Sequence, residues 1–298
     1  EQDLFLDEIK LEEAYKNKDY TKARKLLEKE YLEKKTFRTN YFLFLVFLKI
    51  EDYIAAYETA NEYIRQYIID NEKFKKYQKA AIFAGMNVKL QELSNNIFEY
   101  TTESEQKEFD KNQQTLLTDY LNKNSKLEIM KQLSYLGIFP LFQQRKILKD
   151  AYGLSVDDFF INTKKILIDS NIHPLLKSNI LDDYRKLNLE ETVQYTDYKN
   201  TVKTLDVKKL KEIEEYKIYK KIYKEFKQLP MNDFEKDLKW KEIVLKLMVL
   251  YPFNDIEQNL EQNLIYILLC NDEFKVLNEQ ELAFSKKLED YIEQWNNL

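Results

Sequence analysis

Apolar residues recur along almost the whole chain with the period of a helix. Leu26, Leu27, Glu30 and Tyr31 mark one stripe, Leu116, Leu117, Tyr120 and Leu121 a second, and Leu288, Ile292 and Trp295 a third, the spacing that lines one helical face. Helix starts stand between such stripes. Thr102 with Glu105, Ser125 with Glu128, Asn254 with Glu257 and Asn278 with Glu281 have the spacing of reciprocal capping of a first turn. The pattern predicts helices over 4–16, 21–34, 38–49, 53–70, 73–84, 88–100, 104–122, 126–136, 141–151, 155–168, 174–187, 208–227, 232–250, 255–270 and 279–296. Short helices with brief connections predict an all-α fold, either a solenoid or a large bundle. One stretch breaks the period. Thr192–Thr196 and Thr201–Leu205 are β-branched and aromatic and flank Asp197–Asn200. This reads as a small β-hairpin near 191–205 or as an irregular loop. A lone hairpin is marginal in water, so it should pack on helices.

Asp19-Tyr20-Thr21-Lys22-Ala23 is echoed 33 residues later by Asp52-Tyr53-Ile54-Ala55-Ala56. The interval is close to the roughly 34 residues of tetratricopeptide (TPR) repeats, which Lys18–Lys29 resembles. An acidic and an aromatic residue sit at the turn. A small residue, Ala23 or Ala56, follows where two helices touch. The usual glycine before the aspartate is Lys18 in one copy and Glu51 in the other, the closing proline is missing from both, and no third copy is evident near residue 86. A wider resemblance begins at Asn171–Leu181, with its run His173-Pro174-Leu175-Leu176-Lys177. With the extended stretch 191–205 and Leu250-Tyr251-Pro252-Phe253, it is similar to a family of TPR-like superhelical proteins of low-GC Gram-positive bacteria and mycoplasmas. That resemblance spans most of the chain. It implies an α-α superhelix of about fifteen helices with no assigned activity and no catalytic residue to carry over. The expected division is 1–123 as TPR-like repeats and 124–298 as a C-terminal helical domain packed on or continuing the superhelix.

Composition narrows the chemistry. With 298 residues, 44% hydrophobic and 33% charged, the chain has enough apolar residues for a core and enough charge to stay in solution. It holds three glycines, one histidine and one cysteine. Phosphate-cradling loops need clustered glycines, and Gly85, Gly137 and Gly153 are scattered. A zinc site needs about four Cys or His ligands, and nucleophilic catalysis through imidazole would have only His173. No cofactor, metal or catalytic site is expected, and the protein reads as a non-enzyme. Net charge is −5, and of its cations only Arg24, Arg38, Arg65, Arg145 and Arg185 carry the bidentate fork that nucleic-acid recognition favours. Nucleic acid is therefore an unlikely partner. The longest apolar run, Tyr41–Leu48, falls far short of the about 20 residues of a membrane span. The start Glu1-Gln2-Asp3 has no basic-then-apolar leader, so the expected location is the cytoplasm.

Several candidate residues also fit packing roles. His173 before Pro174 reads as a helix cap, and Cys270, after an aliphatic run, as a buried small side chain. The pairs Asp157–Asp158 and Asp182–Asp183 read as solvated faces, because 52 acidic residues place carboxylates at helical spacing almost everywhere. In Tyr216–Lys227, Tyr216, Tyr219, Tyr223 and Phe226 share one stripe and Lys217, Lys220, Lys221, Lys224 and Lys227 the other side. This reads as a core helix with wet lysines, and alternatively as a basic-helix module that meets nucleic acid or anionic membrane through 208–227. The leading expectation is a protein- or peptide-binding scaffold. In TPR folds the first helix of each pair lines a concave groove. Phasing on Asp19 and Asp52 places Glu8, Glu12 and Tyr15 from one pair there, with Arg38, Tyr41, Leu45 and Lys49 from the next. Carboxylates at 8 and 12 argue against an acidic C-terminus as ligand and for a partner of positive or aromatic character.

Overall fold

The structure, a computed structural model, describes residues 13–14, 16–197, 200–253, 258–269 and 278–297. Among them are fifteen α-helices and a single two-stranded antiparallel sheet. The protein is all-α with a small hairpin. Its described residues form two compact units, one running up to Glu128 and joined by Asp150–Phe159, the other made of Ile129–Lys149 and the residues from Phe160 on.

In the N-terminal unit, α1 (Tyr20–Glu33), α2 (Phe37–Lys49), α3 (Tyr53–Asn61), α4 (Ile64–Ile68), α5 (Asn71–Phe83), α6 (Asn87–Ile97) and α7 (Glu103–Lys123) follow in order. α1 packs on α2, α2 on α3, α3 on α5 and α5 on α7, so each helix meets its near neighbours in sequence. The turns repeat. Asp19 and Asp52 cap α1 and α3 with the same backbone angles, φ −82° and ψ 73°. Before each stands a residue in the left-handed region, Lys18 at φ +57° and Glu51 at φ +59°. The position where glycine is usual thus keeps glycine's conformation without glycine. The N–H of Asp19 donates to Ala14 O at 2.8 Å, and that of Asp52 to Phe47 O at 3.0 Å. Ala23 and Ala56 are wholly buried.

A third turn of the same build exists. Gly85 has φ +74°, and Met86 N–H donates to Ala81 O at 2.8 Å. The buried small position is taken by Leu90, 0% exposed. Expectation from sequence ended at two copies because Met86 and Leu90 replace the aspartate and alanine while the backbone persists.

The predicted helix 53–70 divides into α3 and α4. At the break, the Glu62 carboxylate accepts from Tyr31 Oη and from Lys35 Nζ, each at 2.9 Å, and this pins the chain where it leaves α3. Beneath lies a buried polar cluster. Asn40, 0% exposed, donates through Nδ2 to Tyr31 Oη at 3.0 Å and Thr59 O at 2.7 Å. Its Oδ1 accepts from Tyr67 Oη at 2.8 Å. The amide is satisfied on every side, as a buried polar group requires.

The chain continues through α8 (Lys126–Ser134), α9 (Leu141–Ala151) and α10 (Val156–Thr163). The C-terminal unit then holds α11 (Pro174–Lys186), β1 (Thr192–Thr196), β2 (Val202–Asp206), α12 (Lys217–Phe226), α13 (Asp233–Leu250), α14 (Gln258–Leu269) and α15 (Glu279–Asn296). α11 packs on α13 and α13 on α15. The stretch 191–205 is a hairpin, with Thr192 opposite Asp206 and Thr196 opposite Val202. Val193, Tyr195 and Leu205 are buried on one face, and Thr196 Oγ1 donates to Ile168 O at 3.1 Å. The hairpin is held by what it packs on. Predicted helix 208–227 begins later, because two short 3₁₀ turns, Val207–Lys209 and Ile213–Glu215, precede α12. Glu212 and Glu215 cap the second turn reciprocally. The capping boxes expected at Thr102 and Asn278 form, and Asn232 with Glu235 makes another. Asn254–Glu257 lies outside the described residues.

Candidate functional site

The face of α2 carries the described part of the expected groove. Thr36 caps this helix by accepting from Thr39 N at 3.2 Å, and Leu43, Phe44, Val46 and Phe47 turn inward. Arg38, Tyr41, Leu45 and Lys49, at intervals of three and four, therefore share another side. Arg38 and Lys49 are exposed, and Tyr41 and Leu45 half-buried. Glu8, Glu12 and Tyr15 lie outside the described residues, so the face comprises four of the seven expected positions.

Tyr41 is the best-defined of these. Its ring lies 6.0 Å from Phe37, 6.2 Å from Phe44 and 6.0 Å from Tyr67, which fixes its base among aromatics. The hydroxyl end meets cations of α5. Lys76 Nζ donates to Tyr41 Oη at 3.1 Å, and the ammonium groups of Lys73 and Lys76 lie 5.4 and 5.8 Å from the ring centroid, within cation–π range. Lys73 also pairs with Asp70. One turn on, Lys79 sits 5.8 Å from the ring of Tyr53, which stacks on Phe83 at 4.9 Å.

α5 is the member the sequence reading missed. It stands one repeat beyond α2, since Thr36 and Asp70 cap the two helices 34 positions apart. The same interval joins α5 to α7: Asn71 Nδ2 donates to Glu105 Oε1 at 2.9 Å and Asn112 Nδ2 to Gln78 Oε1 at 2.7 Å. The i, i+3 series Lys73, Lys76, Lys79 was visible but unassigned to any face without that phase. Among the described residues, Lys49, Lys76 and Lys79 meet no carboxylate within ion-pair distance. The described face is cationic and aromatic, whereas the expectation of a positive partner rested on Glu8 and Glu12.

The other candidates fall into packing roles. His173 caps α11, its Nδ1 accepting from Leu175 N at 3.2 Å while Nε2 meets Tyr291 O at 3.0 Å. Those partners fit a neutral ring that donates from Nε2. Burial pushes its pKa below the ordinary value. Tyr291 and Trp295 each lie 5.4 Å away. Asp158 pairs with Lys126 at 3.0 Å, and Asp182 with Arg185 and Lys186 at 2.9 and 2.6 Å. Cys270 is outside the described residues. In α12 the buried stripe is Ile218, Ile222 and Phe226, in place of the four-aromatic stripe expected. Tyr219, Tyr223 and Phe226 gather on Trp240 of α13, at 5.3, 4.8 and 5.0 Å, and Tyr223 stays exposed. Lys217, Lys220, Lys221, Lys224 and Lys227 stay exposed.

Among the described residues no group of three or more His, Cys, Asp and Glu side chains stands where it would hold a metal ion, and no helix is long and apolar enough to cross a membrane. No family model, no curated protein and no solved structure matches the chain.

Proposed function

We propose that the protein is a non-enzymatic scaffold that binds a protein or peptide along the α2–α5 face, in the manner of a TPR-like groove. The observation that carries this reading is Tyr41, anchored at its base by Phe37, Phe44 and Tyr67 and flanked at its exposed end by Lys73 and Lys76. A rigid aromatic with a polar rim is the composition of interface hot spots. Lys49, Lys76 and Lys79, with no carboxylate partner among the described residues, favour a segment with acidic and aromatic side chains. The repeated turns at Lys18, Glu51 and Gly85 support the TPR-like part of the reading, and with it the resemblance to the superhelical family.

Fluorescence polarisation with an acidic, aromatic peptide tests it. Tyr41→Ala and Lys76→Gln should each weaken binding about tenfold, on the order of 1.4 kcal/mol, measured well below the thermal midpoint, which should fall for Tyr41→Ala as its aromatic contacts are lost and hold for Lys76→Gln. Binding that is indifferent to both substitutions overturns the site. A second reading, contact of nucleic acid or anionic membrane through 208–227, keeps the exposed lysine face of α12 as its support. Salt separates the two, because phosphate contacts make affinity fall steeply with ionic strength.

A further inference from the structure

The chain has one histidine, and it stands where the start of one helix meets the end of another. His173 precedes Pro174 at the start of α11 and is 7% exposed. Its Nδ1 accepts from Leu175 N at 3.2 Å, and its Nε2 meets Tyr291 O of α15 at 3.0 Å. A carbonyl oxygen only accepts, so Nε2 carries the ring proton and Nδ1 keeps its lone pair for the cap. Tyr291 meets the ring edge-on and Trp295 lies tilted against it, each 5.4 Å away. One imidazole thus caps α11 and ties down the last two turns of α15.

Both ring nitrogens are committed, and a second proton finds no free site. A proton on Nδ1 turns the acceptor into a donor aimed at the Leu175 N–H, so the cap must open. It also puts positive charge at a helix N-terminus, where the macrodipole is already positive. The surroundings do not offset this. Arg145 of α9 lies 4.3 Å from the Trp295 ring and Lys287 lies 5.8 Å from the Tyr291 ring. Lys177 follows one turn on in α11, and Asp169, in the turn before that helix, acts on Lys177. On α15, Glu289 turns to Lys246 of α13, and Asp290 and Glu293 are exposed. Among the described residues no carboxylate acts on His173 itself.

We propose that His173 is an acid-sensitive latch between α11 and α15: neutral, it caps one helix and holds the other, and protonated at Nδ1 it frees the last turns of α15. The charged ring has to leave the cap and swing toward water, and Tyr291 O then loses its donor. Histidine is the side chain whose ordinary pKa falls between pH 5 and 8. Burial holds this one below its ordinary 6.5. The unfolded chain therefore takes up the proton near pH 6.5 and the folded chain only at lower pH. Stability from the latch is whole above that value and is lost as pH falls below it.

The test is hydrogen–deuterium exchange of the full chain in dilute solution at pH 7.5 and pH 5.0, corrected for the intrinsic pH dependence of exchange. Protection over 288–296 should fall at least about threefold at the lower pH, while 71–83 in the N-terminal unit holds. His173→Asn keeps a capping side chain but takes up no proton, so its protection over 288–296 should be the same at both values. The proposal is overturned if wild-type protection does not fall, or if the asparagine variant falls as far as wild type. Should that variant not fold, the single imidazole resonance of wild type decides. It should titrate below pH 6.5 in the folded chain and return to about 6.5 in urea, and equal midpoints in the two states overturn the latch.

Discussion

Asn40 offers the sharpest test of how the N-terminal unit is held together. Its side chain joins α1, α2, α3 and α4 through bonds to Tyr31, Thr59 and Tyr67. In Asn40→Ala, two of the three partners keep another bond. Tyr31 still donates to Glu62, and Thr59 O still accepts from Glu62 N at 3.3 Å. Tyr67, 0% exposed, is left with a stranded hydroxyl. That group costs about 1–3 kcal/mol, and the space left by the amide adds about 1 kcal/mol, so the expected loss is about 2–4 kcal/mol. Tyr67→Phe alone strands Asn40 Oδ1 and costs about 1–3 kcal/mol. The double variant should be no less stable than Asn40→Ala, because the phenylalanine removes the hydroxyl that the alanine strands. The assay is urea denaturation followed by far-ultraviolet circular dichroism, with constant m as the check on comparability. A coupling of about 1–3 kcal/mol is expected. Additive penalties, agreeing within about 0.5 kcal/mol, would refute the network as one unit.

Three further outcomes follow from the same geometry. Lys18→Gly and Glu51→Gly should each stabilise by about 0.5–1 kcal/mol, since a left-handed L-residue costs about 1–2 kcal/mol and glycine's extra unfolded-state entropy takes back about 0.5–1 kcal/mol; unchanged urea midpoints would contradict the assigned turns. Ala23→Leu and Ala56→Leu should each lose about 1–3 kcal/mol by overpacking at wholly buried positions, read as lowered thermal midpoints. Lys177→Met should stabilise by about 1–2 kcal/mol: burial of the side chain pushes its pKa down from 10.5 to about 8, worth at most about 3 kcal/mol, and solvent screening at the ammonium takes part of that back. Between those values the unfolded chain binds the proton that the folded chain has released, so wild-type stability rises with pH there. The variant's advantage should therefore be full below pH 8 and fade toward pH 10.5, and an advantage flat across that range would refute the buried charge.

The helices were legible because their signals are local. Stripes, caps and the strand-like runs at 192–196 and 201–205 each depend on a few adjacent residues. The break between α3 and α4 was not legible, because Glu62 is fixed by Tyr31 and Lys35, about thirty positions upstream. The burial of α12 was only partly legible for a similar reason: its aromatics meet Trp240, which belongs to another helix, and of the four only Phe226 is buried. The turn at Gly85 hid because the side chains that mark the first two copies are absent while the backbone is kept. Of the candidate face, the α2 positions followed from spacing alone. The lysines of α5 needed the repeat phase carried one unit further, which the missing third motif withheld.

The central claim is that a partner lies on the α2–α5 face, and hydrogen–deuterium exchange with a bound peptide tests it most directly. The probe is a ten-residue peptide rich in glutamate and tyrosine, compared with a twin carrying lysine in place of glutamate. The acidic peptide should slow exchange within 37–49 and 71–83 and leave 217–226 unchanged, and Tyr41→Ala should remove that protection. Protection centred on 217–226, or equal protection by the lysine twin, would contradict the account.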